Sequence, residues 1–219
     1  MIPEDTSSHN RDVIVADYGM GNIWSVKNAI SYLGYTPIVT TDPEIVGKAQ
    51  KLILPGVGSF RKAMESLRQT GMDQAIRQAV KDQKGRILGI CLGMQLLGSH
   101  GTEDGETAGL NLVSMHTDRF LPEELGGLKT PHIGFNSVRS VSDSILFKGL
   151  PNETDFYFVH SFRMLPDATP SKRAIGTYGV EFLAGFEYEN ICATQFHPEK
   201  SQTNGLVLLK NFLESSDAC

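Results

Sequence analysis

Cysteine is scarce, with three residues at 91, 192 and 219. An odd, widely spaced set argues against a disulfide framework and for a reducing compartment, here the cytoplasm. Cys192 is expected as a core thiol and Cys219 as an exposed last residue. Basic charge has no surplus: 20 Lys and Arg against 25 Asp and Glu leave a net charge of −5, which argues against a nucleic-acid partner. No apolar run approaches the ~18 residues a membrane-spanning helix needs. The first eleven residues are polar and lack an apolar h-region, so they read as a disordered N-terminal extension (1–11) and not as a secretion signal. A dinucleotide fingerprint is missing too: Gly19-Met-Gly21 follows a first strand, but position 24 is Trp where the third glycine belongs. No metal and no cofactor is expected. With no repeat and no linker, residues 12–219 are expected to form a single domain, long enough for one core.

What is present begins with Arg86-Ile-Leu-Gly-Ile-Cys-Leu-Gly-Met-Gln95. A short apolar strand runs into a helix, and Cys91 sits at the junction with glycines two residues to either side. That is the spacing of a nucleophile elbow carrying a thiol. A thiol at a helix N-terminus feels the positive end of the dipole, which favours thiolate. The next backbone N–H, at Leu92, can point at a developing oxyanion. Gln95 follows one helical turn later on the same face, placed to hydrogen-bond an amino-acid substrate.

Far downstream, the apolar strand Ile191 to Phe196 delivers His197, and Pro198 stiffens the link to Glu199. A nucleophilic thiol needs a base, and the base needs an acceptor on its other ring nitrogen. Cys91, His197 and Glu199 supply those three roles.

The chain between reads first as strand–helix alternation. Asp12 to Asp17 is a continuous apolar run of buried parallel-strand type. A helix with Ile23, Val26, Ala29, Ile30 and Leu33 on one face follows and ends at Gly34. Strands are expected over Thr36 to Thr40 and Lys51 to Leu54, with Asp42-Pro43 capping a helix between them. Further helices are expected over Phe60 to Gln69, Met72 to Lys84 (capped by Gly85) and Leu92 to Ser99. Gly101 to Gly109 and Glu123 to Gly127 read as exposed loops. From about Val113 short strands take over, with candidates around Val138, Phe156 to His160, Arg173 to Tyr178, Phe182 to Tyr188 and Ile191 to Phe196. Gly205 to Glu214 is an amphipathic closing helix. The fold class is α/β: a mostly parallel central sheet flanked by helices, with antiparallel strands in the C-terminal half.

Gly-Ile-Cys91-Leu-Gly-Met-Gln and His197-Pro-Glu199-Lys-Ser resemble the triad segments of class I glutamine amidotransferases, which have a flavodoxin-like fold. Asp17-Tyr-Gly-Met-Gly-Asn22, Leu54-Pro-Gly-Val-Gly-Ser-Phe60, Pro131-His-Ile-Gly-Phe-Asn136 and Tyr157-Phe-Val-His-Ser161 further resemble the glutaminase subunit of imidazole glycerol phosphate synthase. The resemblance covers about residues 12–214. It implies hydrolysis of L-glutamine, with the ammonia channelled to a (β/α)₈ cyclase partner in histidine biosynthesis. It also implies a second oxyanion donor at Val57 or Gly58, an N–H that points away until the partner's substrate binds. Glutamine contacts at Gln95, Gly58, His160 and Ser161 follow from it, as does a partner interface or ammonia passage at Asn22, His132, Phe135, Tyr157 and Lys200. Phe135 replaces the family's usual Trp, and the 101–109 segment departs from its pattern. Both keep an alternative open, a paralogous glutaminase feeding a sugar-modifying enzyme of surface-polysaccharide synthesis. A free-standing cysteine hydrolase and a silent binding subunit complete the alternatives.

Overall fold

The computed structural model describes residues 11–140, 143–167, 170 and 172–215. Most of the expected extension, and Cys219, lie outside the described residues. In chain order the N-terminal half comprises β1 (Asp12–Ala16), α1 (Ile23–Tyr32), β2 (Thr36–Thr40), α2 (Pro43–Gly47), β3 (Lys51–Gly56), α3 (Phe60–Thr70), α4 (Met72–Arg77), β4 (Arg86–Cys91) and α5 (Leu92–Leu96). There follow β5 (His100–Gly101), β6 (Thr107–Ala108), β7 (Met115–Arg119), β8 (His132–Ser140), β9 (Glu153–His160), β10 (Phe162–Pro166), β11 (Lys172–Tyr178), β12 (Val180–Tyr188), β13 (Ile191–Thr194) and α6 (Gln202–Glu214).

One nine-stranded sheet runs β2-β1-β3-β4-β13-β12-β11-β8-β9. It is parallel from β2 to β13 and antiparallel beyond. The switch matches the sequence, where strand–helix alternation gives way to strands joined by short turns. Side chains of the parallel strands alternate between two cores. Val13, Val15, Ile53 and Leu88 face α1 and α6, while Ile14, Ala16, Leu52, Leu54 and Ile87 face α3 and α4. An aromatic cluster fills the antiparallel half, with Phe156 and Phe196 stacked at 4.0 Å. A second sheet, β10-β7-β5-β6, covers one side of the site.

Several expectations need correction. The helix from Met72 loosens into a π-helical turn at Gln78–Asp82, and its left-handed terminal residue is Lys84 (φ 55°), not Gly85. Gly85 is required for space, since a Cβ there would stand 2.1 Å from Ala49 O. The elbow helix is one turn shorter than expected because Gly98 and Ser99 turn away to meet the second sheet. Residues 101–109 form β5, β6 and the link between them, not a free loop. The 123–127 stretch is a 3₁₀ turn whose Leu125 is buried and whose Glu124 pairs with Arg163. Cys192 is buried in β13, but it is disulfide-bonded and not a thiol. Among the described residues no helix is long and apolar enough to cross a membrane.

Candidate active site

Strands β3, β4 and β13 are neighbours, and their carboxyl ends converge: Gly56 is in register with Cys91, and Thr194 with Ile90. Carboxyl ends of parallel strands are where open α/β sheets hold ligands. Cys91 ends β4 at φ 55°, ψ −110°, a left-handed φ that non-glycine residues rarely adopt and that marks functional sites. The elbow glycines supply room and leave the unusual dihedral to the cysteine. A Cβ on Gly93 would lie 1.8 Å from Leu54 O, and one on Gly89 2.9 Å from Gly93 O.

Beyond β13, the ring of His197 donates from Nδ1 to Glu199 Oε1 at 2.8 Å, both side chains being 1% exposed. That bond leaves Nε2 to face the Cys91 sulfur, whose charge acts on the ring. Nε2 has no aligned partner among the described residues, a looseness common in unliganded catalytic pairs. Burial opposes charge on the His197 ring. A negative charge on the Cys91 sulfur, together with the Glu199 carboxylate, outweighs that penalty and holds the ring well above its usual 6.5. The Cys91 thiol donates to Val159 O at 3.8 Å, and Gln195 Nε2 lies 3.7 Å from the sulfur.

A cavity of about 470 Å³ opens on Cys91. Val57, Gly58, Leu92, Gln95, His160 and Ser161 line it, so every residue expected to contact glutamine or an oxyanion is there. Val57 N–H, however, donates to Met20 O at 3.3 Å and so is engaged away from the sulfur. Glu103, missed by sequence reasoning, also lines the cavity. Burial raises its carboxyl, partly opposed by the Phe60 N–H that Oε2 accepts at 2.8 Å. No periodicity marks Glu103 in a polar stretch. Gln195, also missed, directly follows β13, because the strand expected to run to Phe196 stops at Thr194.

His132 is not on the surface with the other expected interface residues. It is 3% exposed, stacked on Tyr178 at 4.0 Å, and bonded through Nδ1 to His160 Nε2 at 2.9 Å. His160 Nδ1 in turn donates to Phe162 O at 2.8 Å. Burial pushes His132 down to about 4. It also pushes His160 down to about 3, opposed by the bond to Phe162 O and helped by His132 and His197. Phe135, Tyr157 and Lys200 do gather on one outer face. The two rings meet edge-on at 5.6 Å, and Lys200 Nζ lies 5.8 Å from the Tyr157 centroid. Asn22 stands at the start of α1, where its side chain makes no capping bond.

An elbow cysteine, a buried His–Glu pair and an α/β sheet of this order define a class of amide-hydrolysing enzymes. The chain belongs to the class-I glutamine amidotransferase family, which matches residues 14–215. It is 46% identical over 204 residues to the imidazole glycerol phosphate synthase subunit HisH of Moorella thermoacetica, spanning 93% of this chain and 95% of that one. The protein of the same name from Geobacter sulfurreducens is 44% identical over 206 residues, 92% of this chain and 98% of that one. Two solved structures share the fold. One glutamine amidotransferase superposes with a TM-score of 0.70 at 19% identity, covering 92% of this chain and 97% of that one. Another, from Thermotoga maritima, gives 0.64 at 17% identity, covering 94% of this chain and 100% of that one.

Proposed function

We propose that this chain is the glutaminase subunit of an imidazole glycerol phosphate synthase, hydrolysing L-glutamine to glutamate and ammonia for a (β/α)₈ cyclase partner in histidine biosynthesis. The observation that carries this reading is Cys91 opening on a cavity at the end of β4, with the buried His197–Glu199 pair behind it near enough for charge on the sulfur to raise the ring's pKa. Relatives 41–46% identical over more than nine-tenths of the chain bear the HisH name, which leaves the polysaccharide alternative unfavoured.

Cys91 sulfur, its proton passed to His197 Nε2, attacks the side-chain amide carbon. The carbonyl π electrons move onto oxygen, and Leu92 N–H stabilises the oxyanion. His197 then returns the proton to the amide nitrogen, the C–N bond breaks, and ammonia departs from a γ-glutamyl thioester. Water, deprotonated by the same nitrogen, cleaves the thioester and restores the thiol. Glu199 keeps the ring in one tautomer. Glu103, in the cavity wall, is suited to the α-ammonium of the substrate. Val57 N–H is the second oxyanion donor once it leaves Met20 O, and losing such a donor costs on the order of a hundredfold. Engagement of the partner on the Phe135–Tyr157–Lys200 face supports that release.

Cys91→Ala tests the reading. Glutamine hydrolysis should vanish while glutamine binding and thermal unfolding stay as in the unmutated chain; residual turnover at the original rate refutes it.

A further inference from the structure

We infer that Gln195 is a catalytic residue of this site: its side-chain amide donates from Nε2 to the Cys91 sulfur and is held in that orientation by Gln95. The inference rests on Cys91 being the nucleophile.

The orientation follows from one backbone carbonyl. Phe162 O can only accept, and it takes a hydrogen bond from Gln95 Nε2 at 3.1 Å. The Gln95 amide is thereby fixed with its nitrogen toward that carbonyl. The same nitrogen also reaches the Gln195 amide, at 3.0 Å. Only an acceptor can answer a second N–H, so the Gln195 atom there is Oε1. Its Nε2 is left facing the sulfur at 3.7 Å. Rotating the Gln195 amide would set two donors against each other at Gln95 and an oxygen against the sulfur. Gln195 is fully buried, and its backbone N–H is tied to Ala184 O at 2.8 Å, so neither water nor a swing of the strand offers an escape.

The sulfur therefore has two neighbours of opposite preference. Val159 O accepts, and so favours the S–H form. Gln195 Nε2–H donates, and so favours sulfur that has given its proton to His197. A hydrogen bond to a charged partner in a desolvated site is the strong kind. Its strength is realised when negative charge sits on sulfur, before attack and again as the thioester breaks.

The test is the pH dependence of Cys91 alkylation by iodoacetamide in the full chain, read from the mass of the Cys91 peptide. Gln195→Met keeps the volume and removes the donor. The expected result is an alkylation rate about tenfold lower at pH 7 and a rate curve displaced about one pH unit to the alkaline side, with the high-pH plateau unchanged. Gln95→Leu, which frees the Gln195 amide to turn, should displace the curve in the same direction. General loosening would alter the plateau and leave the midpoint in place. A curve superposing on that of the unmutated chain overturns the inference. Should Gln195→Met not fold, the assigned side-chain amide ¹⁵N–¹H signals of Gln195 in the unmutated chain give the answer: they move when Cys91 is alkylated, and signals that stay put overturn it. Alkylation needs neither glutamine nor partner, so a failed glutaminase assay and a failed Gln195 assignment are told apart.

Discussion

Replacing Glu199 by glutamine isolates the charge behind the His197 ring. The variant keeps an oxygen able to accept from Nδ1, so the tautomer survives and only the negative charge is lost. In the structure the bond is 2.8 Å long between side chains each 1% exposed, so solvent does little to screen it. A hydrogen bond to a charged group is worth about 1.5–3 kcal/mol and a neutral one about 0.5–1.5. The difference, about 1–2 kcal/mol, corresponds to roughly a 5- to 30-fold fall in kcat. The same loss lowers the His197 pKa, because Glu199 is one of the groups holding it up. Since the ring must carry a proton to release ammonia, the alkaline limb of the kcat profile moves toward neutrality. Glu199 Oε2 has no partner among the described residues. An amide nitrogen placed there would have no acceptor and cost about 1–3 kcal/mol of stability, so thermal unfolding is measured alongside. Glutamate formation at saturating glutamine, with the partner present and pH varied from 6 to 10, is the assay. Unchanged kcat and an unmoved alkaline limb would refute the reasoning. Glu199→Ala, which loses the tautomer control too, should fall further.

Glu103→Gln is expected to raise KM for glutamine about 10- to 100-fold with a smaller change in kcat, because it removes a charged contact made equally in ground and transition states; an unchanged KM in steady-state assays refutes the ammonium role. Gly93→Ala should cost about 2–4 kcal/mol in urea unfolding, since Leu54 O stands 1.8 Å from the new methyl; a loss below about 0.5 kcal/mol would mean the elbow moves freely. His132 and His160 titrate near 4 and 3 when folded but near 6.5 when unfolded. The unfolded chain therefore binds more protons below pH 6.5. Their contribution is complete above that pH and falls toward pH 4 by up to about 1.4 kcal/mol per unit per ring. His197, raised when folded, adds a constant amount below 6.5 and loses it progressively as pH rises from there through its folded pKa. Urea midpoints between pH 7 and 4.5 should show the fall, and His132→Gln should flatten it.

The parallel half of the fold was legible because its signals are local. A two-face apolar run at Val13–Val15, the cap at Asp42 whose carboxylate accepts from Glu44 N at 2.8 Å, and Gly34 at φ 82° each act within a few residues. The triad was legible because elbow spacing and a His-Pro-Glu run survive as short patterns. Glu103 was not, since its place is set by β5 and β6 joining a second sheet through contacts distant in sequence. Gln195 was hidden for a different reason: just past β13, its neighbours Ala193, Thr194 and Phe196 are all fully buried, and a polar residue in such a run shows its partner only in three dimensions. Likewise, nothing in Pro131-His132 hints that His132 turns inward to stack between rings.

The seam between β4 and β13 has a bearing on how the molecule is made. Cys91 ends β4 and Gln195 directly follows β13, 104 residues further along the chain, yet those two strands lie side by side at the middle of the sheet. A ribosome that has released only the first half presents β4 as a bare hydrophobic margin, open to wrong pairings. Assembly of the reactive centre therefore comes late, and nascent chains lacking the final quarter are both inert and adhesive.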